Sequence, residues 1–308
     1  MQIKKADGTI EIFDEKKLIH ALTKAGAQYL VAKEISDLII DKCSQANPDE
    51  LIKSEYIYRL AFKQLKNISR RSALKFSLKK AMLELGPSGF PFEEFIAEVW
   101  RAQGYTAITG QIVFGVCVAH EVDVIAWKGD ELVMIEAKYH SDSGSRTDLK
   151  TALYVKARYD DIRQQTFTTK SFDIHTIAAQ SLKDMHMFEK DAQRIDPKNV
   201  QIPQKLTEGW LITNTHFSDT AMIYGKCNNL KMMSYDCPEV GSLQDLIMEH
   251  RLFPITVLTV LNAAEKKDLI AKNIVLCKTL HENTHILAEM GFSKEKIFSV
   301  LEETGSLL

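Results

Sequence analysis

Residues 120–140, HEVDVIAWKGDELVMIEAKYH, constrain the fold more than any other stretch of the chain. Val122 to Trp127 is rich in Val and Ile, Lys128-Gly129-Asp130 supplies turn residues, and Leu132 to Tyr139 resumes the apolar run. That pattern predicts a β-hairpin, and a two-residue Gly-Asp loop suits a type II′ turn. With this turn Lys128 faces Glu131 and, counting outward, Asp123 faces Glu136. Directly opposed residues of an antiparallel pair project to one face, and Lys138 lies two positions beyond Glu136 on that face. Two carboxylates and an ammonium therefore converge on an apolar ribbon. Opposed like charges are unfavourable there unless something offsets them, and a divalent cation is the natural counter-charge. The chemistry that suits the set is metal-assisted phosphodiester hydrolysis. Asp123 and Glu136 would hold Mg²⁺ or Mn²⁺, and Lys138 would orient the nucleophile or meet the charge of the transition state. An edge hairpin with an ordinary Glu–Lys surface pair is the competing reading of the same residues.

The flanking segments bear on that choice. Upstream, FPFEEFIAEVWRAQGY at 90–105 places Phe92, Phe95, Ile96 and Val99 at helical spacing, with Gly104 as a helix stop. Downstream, GWLITNTHFSDTAMIYGKCNNLKMMSYD at 209–236 reads as strand, helix, strand. The order F-E-x-x-I-A-E, G-Y, V-D-V-I-A, I-E-A-K and then F-[ST]-x-x-A resembles Mrr-type restriction endonucleases of the PD-(D/E)xK nuclease superfamily. The resemblance covers roughly residues 90–250, with an insertion near 166–207. It implies a mixed sheet flanked by helices, with Asp123 and Glu136 as metal ligands and Lys138 as the catalytic lysine. Glu93 would be the helix-borne acid near the metal, although its neighbour Glu94 leaves open which of the two faces the site. The loop His140 to Arg146 follows the lysine strand and should lie beside the site. Arg146 and Lys150 are the candidates for contacts to DNA phosphates. Thr147 to Gln165 then reads as a helix with Leu149, Leu153 and Ala157 inward.

The N-terminal segment IKKADGTIEIFDEKKLIHALTKA carries a second pattern. Asp7-Gly8 is a favoured hairpin turn pair, and Asp14 is a natural N-cap for a helix with Leu18, Ile19 and Leu22 inward. Helical spacing recurs at about 31–46, 53–66 and 69–85. The motif I-K-K-x-D-G…F-D-x-x-K-L and the hairpin-plus-helices order resemble the ATP-cone domain, a nucleotide-sensing module, over about residues 1–88. The resemblance implies that Ile3, Lys5 and Lys17 contact ATP or dATP. Ala6 stands where that family usually has Arg, and Tyr58 where a His is often present.

Composition fits two such domains. At 308 residues and 45% apolar the chain has core material for about two domains and no long uncharged apolar run. Its polar start, MQIKKADG, reads as no secretory signal, and Cys43, Cys117, Cys227, Cys237 and Cys277 form no C-x-x-C. The expectation is a cytoplasmic protein without disulfides or a membrane span. A net charge of −2 argues against a protein that coats DNA. Residues 251–308 read as short helices broken near Pro254, Asn273 and Gly291, a module that would cap the nuclease, dimerise or help bind DNA. His281-Glu-Asn-Thr-His285 fits H-E-x-x-H, yet on short helices with no strand-lined cleft upstream it reads as surface histidines rather than a zinc protease site.

The fold class expected is α/β of the α+β kind. A β-hairpin-plus-helices ATP-cone at 1–88 is joined at Gly86-Pro87-Ser88-Gly89 to a restriction endonuclease-like domain at 90–250, followed by a helical module at 251–308. The function expected is a Mg²⁺-dependent DNA endonuclease under nucleotide control, in restriction or phage defence, with DNA and ATP or dATP as partners and homo-oligomerisation left open. The alternative is a nucleotide-responsive DNA-binding regulator with an inactive nuclease fold.

Overall fold

The structure, a computed structural model, describes residues 1–5, 8–45, 51–86, 88–167 and 202–308. Ala6 and Asp7, Pro87 of the Gly-Pro-Ser-Gly run and most of the expected insertion lie outside the described residues. The chain forms two compact bodies. One comprises Met1–Glu84, Ser141–Ser145 and Phe253–Leu308, the other Leu85–His140 and Arg146–Leu252.

The first body begins with β1 (Gln2–Lys4) and β2 (Ile10–Ile12), antiparallel with Ile3 opposite Glu11. Gly8 takes a φ of +84°, a conformation that a side chain resists, as the turn requires. Helix α1 (Glu15–Lys24) starts where Asp14 accepts from the Lys16 amide at 2.9 Å, and it buries Ile19 and Leu22. Next come α2 (Tyr29–Ser44), β3 (Ile52–Lys53) and α3 (Ser54–Ile68). The two-residue β3 pairs parallel to β1, giving the sheet order β2-β1-β3. No hydrophobic pattern announces so short a strand. The last expected helix is divided at Ser77 into α4 (Arg70–Phe76) and α5 (Leu78–Leu83).

The second body opens with α6 (Phe90–Ala102), whose Phe92, Phe95, Ile96 and Val99 are fully buried. Burial of each such side chain contributes about 1.5–3 kcal/mol. Gly104, at φ +86°, turns the chain into β4 (Thr106–Phe114), followed by β5 (Ala119–Lys128) and β6 (Glu131–Lys138). Then follow β7 (Arg146–Thr147), α7 (Leu149–Arg163), β8 (Glu208–Thr213), β9 (His216–Phe217), α8 (Asp219–Cys227), β10 (Lys231–Met233) and α9 (Leu243–His250). The sheet runs β10-β8-β6-β5-β4, with β4, β5 and β6 antiparallel and β6, β8 and β10 parallel. Val124 to Trp127 and Leu132 to Ile135 are buried without alternation, which a strand achieves only when both faces of its sheet are covered. On one face Ile125, Leu132 and Met134 share a core with Val155, Tyr159 and Ile162 of α7. Helix α6 packs on β4 and β5, and Trp100 meets Trp210 edge to face at 5.5 Å.

Helix α7 departs from the expected orientation. Ala152, Val155, Arg158, Tyr159 and Ile162 are its buried residues, whereas Leu153 is 46% exposed. Its apolar residues are distributed around the helix, so spacing does not fix the inner face. An arginine sits on that face.

Residues 253–308 complete the first body. After a 3₁₀ turn (Ile255–Val257) come α10 (Ala263–Ala271), α11 (Cys277–Glu282), α12 (His285–Glu289) and α13 (Lys294–Gly305). Asn273 and Gly291, both at positive φ, break the helices where expected. The Thr256 hydroxyl donates to the Ala81 carbonyl at 2.8 Å. The Glu303 carboxylate is fully buried and accepts from the Thr259 amide at 2.8 Å, the Thr259 hydroxyl at 2.5 Å, the Val260 amide at 3.1 Å and Arg70 Nε at 3.1 Å. One carboxylate thus ties α13, the loop before α10 and α4. Removing it leaves three partly buried donors and a guanidinium without their acceptor, so Glu303→Ala should cost about 3 kcal/mol. Urea unfolding should show a lower midpoint for the first body, and Glu303→Gln should lose less.

Candidate active site

The β5–β6 hairpin has the expected register. Lys128 lies opposite Glu131 and the ladder runs to Val124 opposite Ile135. Gly129 carries the positive φ of a type II′ turn, at +56°. Beyond Val124 the ladder gives way: the Asp123 carboxylate accepts the Ala137 amide at 2.8 Å, in place of a backbone partner. Asp123 and Glu136 are both half-buried, and Lys138, on the face of Glu136, is exposed.

Helix α6 delivers Glu93 to the same place. Glu94 is engaged elsewhere, bound to Arg101 at 2.5 Å and to the Thr109 hydroxyl at 3.2 Å. Arg101 also reaches Glu98 at 2.7 Å and the Ala107 carbonyl at 2.8 Å, fastening α6 to β4. Gly86 is close-packed against the residue after Lys138. Its amide donates to the Tyr139 hydroxyl at 2.9 Å, and a Cβ there would lie 2.5 Å from the Tyr139 ring.

Electrostatics report the crowding. Burial pushes Glu93 up to about 7, helped by the charges of Asp123, Glu121, Glu136 and Glu94. Burial likewise pushes Glu136 up to about 7, with Asp123 adding to it and Arg158 and Lys138 opposing it. Asp123 is raised by burial against the pull of the Ala137 amide, Arg158 and Lys138. Among the described residues no three acidic, His or Cys side chains stand close enough to hold a metal ion as they are. The donors nonetheless fit a hard divalent cation in kind: they are carboxylate oxygens whose charged forms are disfavoured by burial and by one another.

Sequence reading missed Arg158. On α7 it is only 8% exposed, forms an ion pair with Glu136 through Nη1 and donates from Nη2 to the Glu121 carbonyl. Its spacing from Val155 and Ile162 is compatible with an inward position, but apolar residues on the other faces of α7 offered equal alternatives, so no local signal singled it out.

The other candidates are placed as follows. Arg146 is exposed on β7, in register with His216, and Lys150 is exposed in the first turn of α7 behind its Asp148 cap. In the first body Ile3 is 6% exposed and belongs to the core, Lys5 pairs with Glu11 at 2.9 Å, and Lys17 is exposed. A cavity of about 300 Å³ in this body is lined by Tyr58, Arg59, Lys80, Leu258 and Lys266 among others, and by none of the three candidates. His281 and His285 fall on two helices, α11 and α12, and His281 Nδ1 lies 2.9 Å from the Thr304 hydroxyl. This turn removes the shared helical face that a zinc pair needs. Among the described residues all five cysteines are free, and no helix is long and apolar enough to cross a membrane.

Comparison with known proteins agrees with these two bodies. Residues 1–80 match the ATP cone domain, residues 86–189 the restriction endonuclease domain of Mrr type, and residues 253–308 the AF1548-like C-terminal domain. The chain carries an ATP-cone domain followed by a restriction endonuclease-type domain and an AF1548-like C-terminal domain. An uncharacterised protein of Archaeoglobus fulgidus is 26% identical over 214 residues, covering 69% of this chain and 99% of that protein. The crystal structure of a protein of unknown function, AF1548, aligns with a TM-score of 0.49 and 26% identity over 70% of this chain and 95% of its own.

The raised carboxylates set a pH dependence. A folded-state pKa near 7 for Glu93 and Glu136 exceeds the unfolded value near 4.3. Their contribution to stability is thus fully present below the lower value and lost as pH rises through about 7. With divalent metal chelated, the melting temperature should fall between pH 5.5 and 8.5. Glu93→Gln should flatten that fall, and adding Mn²⁺ at pH 8 should reverse it.

Proposed function

We propose that this protein is a divalent-metal-dependent DNA endonuclease whose activity or assembly responds to a nucleotide on its ATP-cone domain. The observation that carries the reading is the placing of Asp123, on the Ala137 amide, and of Glu136, on Arg158, at the end of the β5–β6 ladder, with Lys138 and Glu93 within electrostatic reach, in a domain of restriction endonuclease type. Asp123 and Glu136 would hold Mg²⁺ or Mn²⁺, which when bound supplies a more acidic water and screens phosphate charge. Lys138, exposed on the face of Glu136, orients the nucleophile or meets charge on the phosphate. Glu93, held near neutrality by its surroundings, is suited to accept a proton from the attacking water. Arg146 and Lys150 contact the DNA backbone, so affinity is modest and falls with salt. In the cone, Lys5 and Lys17 meet the phosphates of ATP or dATP, and Ile3 packs at the base of that strand. Nucleotide control requires two arrangements of the protein with different nucleotide affinity. A cytoplasmic enzyme of this kind suits restriction of invading DNA.

A second reading, a nucleotide-responsive DNA-binding regulator that does not cut, is favoured by one observation: Glu136 is already engaged by Arg158. Cleavage assays separate the two. Plasmid and phage DNA, methylated and unmethylated, would be incubated with Mg²⁺ or Mn²⁺ and with no nucleotide, ATP or dATP. Metal-dependent cutting that drops at least about 100-fold in Lys138→Ala supports the nuclease. DNA binding without cutting, unchanged by Asp123→Ala, would establish the regulator instead.

The nucleotide site has its own check. Lys5→Ala and Lys17→Ala should each weaken ATP or dATP binding about tenfold, the loss of one charge-assisted phosphate contact. Calorimetric titration would measure it, and wild-type affinity in both variants would remove these lysines from the site.

A further inference from the structure

We infer that Arg158 is a positioning residue for the Asp123–Glu136 pair: a built-in counter-cation that neutralises Glu136 and against which a divalent ion must bind. The inference rests on the reading of Asp123 and Glu136 as metal ligands. Arg158 is 8% exposed, and its guanidinium donates to the Glu136 carboxylate and to the Glu121 carbonyl. Its Nε, also buried, has no hydrogen-bond partner among the described residues. Arginine buried for architecture usually has its donors satisfied, because an orphaned buried N–H is unfavourable. Here the geometry serves the charge rather than a complete set of hydrogen bonds.

The surroundings hold that charge in place. The Tyr154 ring lies 4.9 Å from the guanidinium carbon. Helix α7 is capped by Asp148 and anchored in the sheet core by Val155, Tyr159 and Ile162. Lys138, the other cation acting on Asp123 and Glu136, is exposed, so water screens it strongly. Arg158 is therefore the buried positive charge that lets opposed carboxylates share an apolar ribbon without a metal. A divalent ion arriving at the same oxygens meets the repulsion of a fixed guanidinium a few ångströms away. Arg158 thus keeps the metal-free site assembled and at the same time weakens metal affinity.

Calorimetric titration with CaCl₂ of the full chain, wild type, Arg158→Met, Arg158→Lys and Asp123→Asn, tests this without reference to cleavage. Arg158→Met should bind Ca²⁺ at least about tenfold more tightly, melt lower without metal and gain more from Ca²⁺ than the wild type does. Arg158→Lys, which keeps the charge, should bind within about threefold of wild type. Unchanged or weaker Ca²⁺ affinity in Arg158→Met, with Asp123→Asn abolishing binding, would overturn the counter-cation and leave the metal site standing. No Ca²⁺ binding that depends on Asp123 in either protein would overturn both. A second measurement needs no arginine variant. The ¹⁵N resonance of Arg158 Nε in the wild type should move as Ca²⁺ is added and stay fixed in Asp123→Asn, and a resonance indifferent to Ca²⁺ in the wild type would count against the role.

Discussion

Two carboxylates placed at the end of an otherwise apolar hairpin, just beyond its last ladder pair, are the constraint on which the second body depends. Both are only half-buried, but the strands that carry them are covered on both faces for most of their length, so water screens them incompletely. The fold responds from three directions. The backbone turns an amide of β6 toward Asp123, α7 brings Arg158 to Glu136, and Lys138 stands at the rim. What remains uncompensated appears as carboxylates that hold their protons far above the usual range. A structural ion pair would not need a third acid nearby. The approach of Glu93 from α6 adds a further acid to the cluster and makes it costly to assemble.

Much of this was legible in the chain. The hairpin register followed from a two-residue turn, since Lys128 opposite Glu131 sets the ladder as far as Val124 opposite Ile135, beyond which Asp123 takes the Ala137 amide instead of a backbone partner. Helix α6 followed from its apolar spacing and from Gly104, and α1 from the Asp14 cap. Other features had no local signal. Strand β3 is two residues long and exists because β1 has a free edge beside it. The choice between Glu93 and Glu94 was set by Arg101, whose reach to Ala107 depends on how α6 lies against β4. The inner face of α7 was misread because a hydrophobic criterion cannot choose a face whose central residue is an arginine. Polar residues that belong inside are decided by partners distant in sequence, and spacing does not carry that information.

The first body makes the same point from another side. Residues 253–308 looked like a separate helical module, and their breaks at Pro254, Asn273 and Gly291 were readable. Their association with the ATP-cone helices was not. It depends on Glu303, an unremarkable acid in sequence, which is buried against donors from two segments that both precede it, one by 44 residues and one by 233. The H-E-x-x-H pattern gave the opposite lesson. A motif is a statement about geometry, and the break at Asn283 and Thr284 between α11 and α12 withdraws the geometry.

The hydrogen bond between Thr256 and Ala81 gives the molecule an order of assembly. The chain leaves the first body after Glu84, touches it again at Ser141–Ser145 and rejoins it at Phe253, so the nuclease-type body is an insertion between two segments that are fastened to each other. On a ribosome that insertion emerges complete before its far end can be fastened. The nuclease-type body can therefore fold before Arg70 of α4 meets Glu303 and before the Ala81 carbonyl of α5 meets Thr256. For that interval the cone presents an open, unfinished flank. Closing it is a long-range event that carries the entropy of a long loop. The contacts of residues 253–308 with α4 and α5 are thus the ones that synthesis leaves until last, although the N-terminal segment already holds a core of its own.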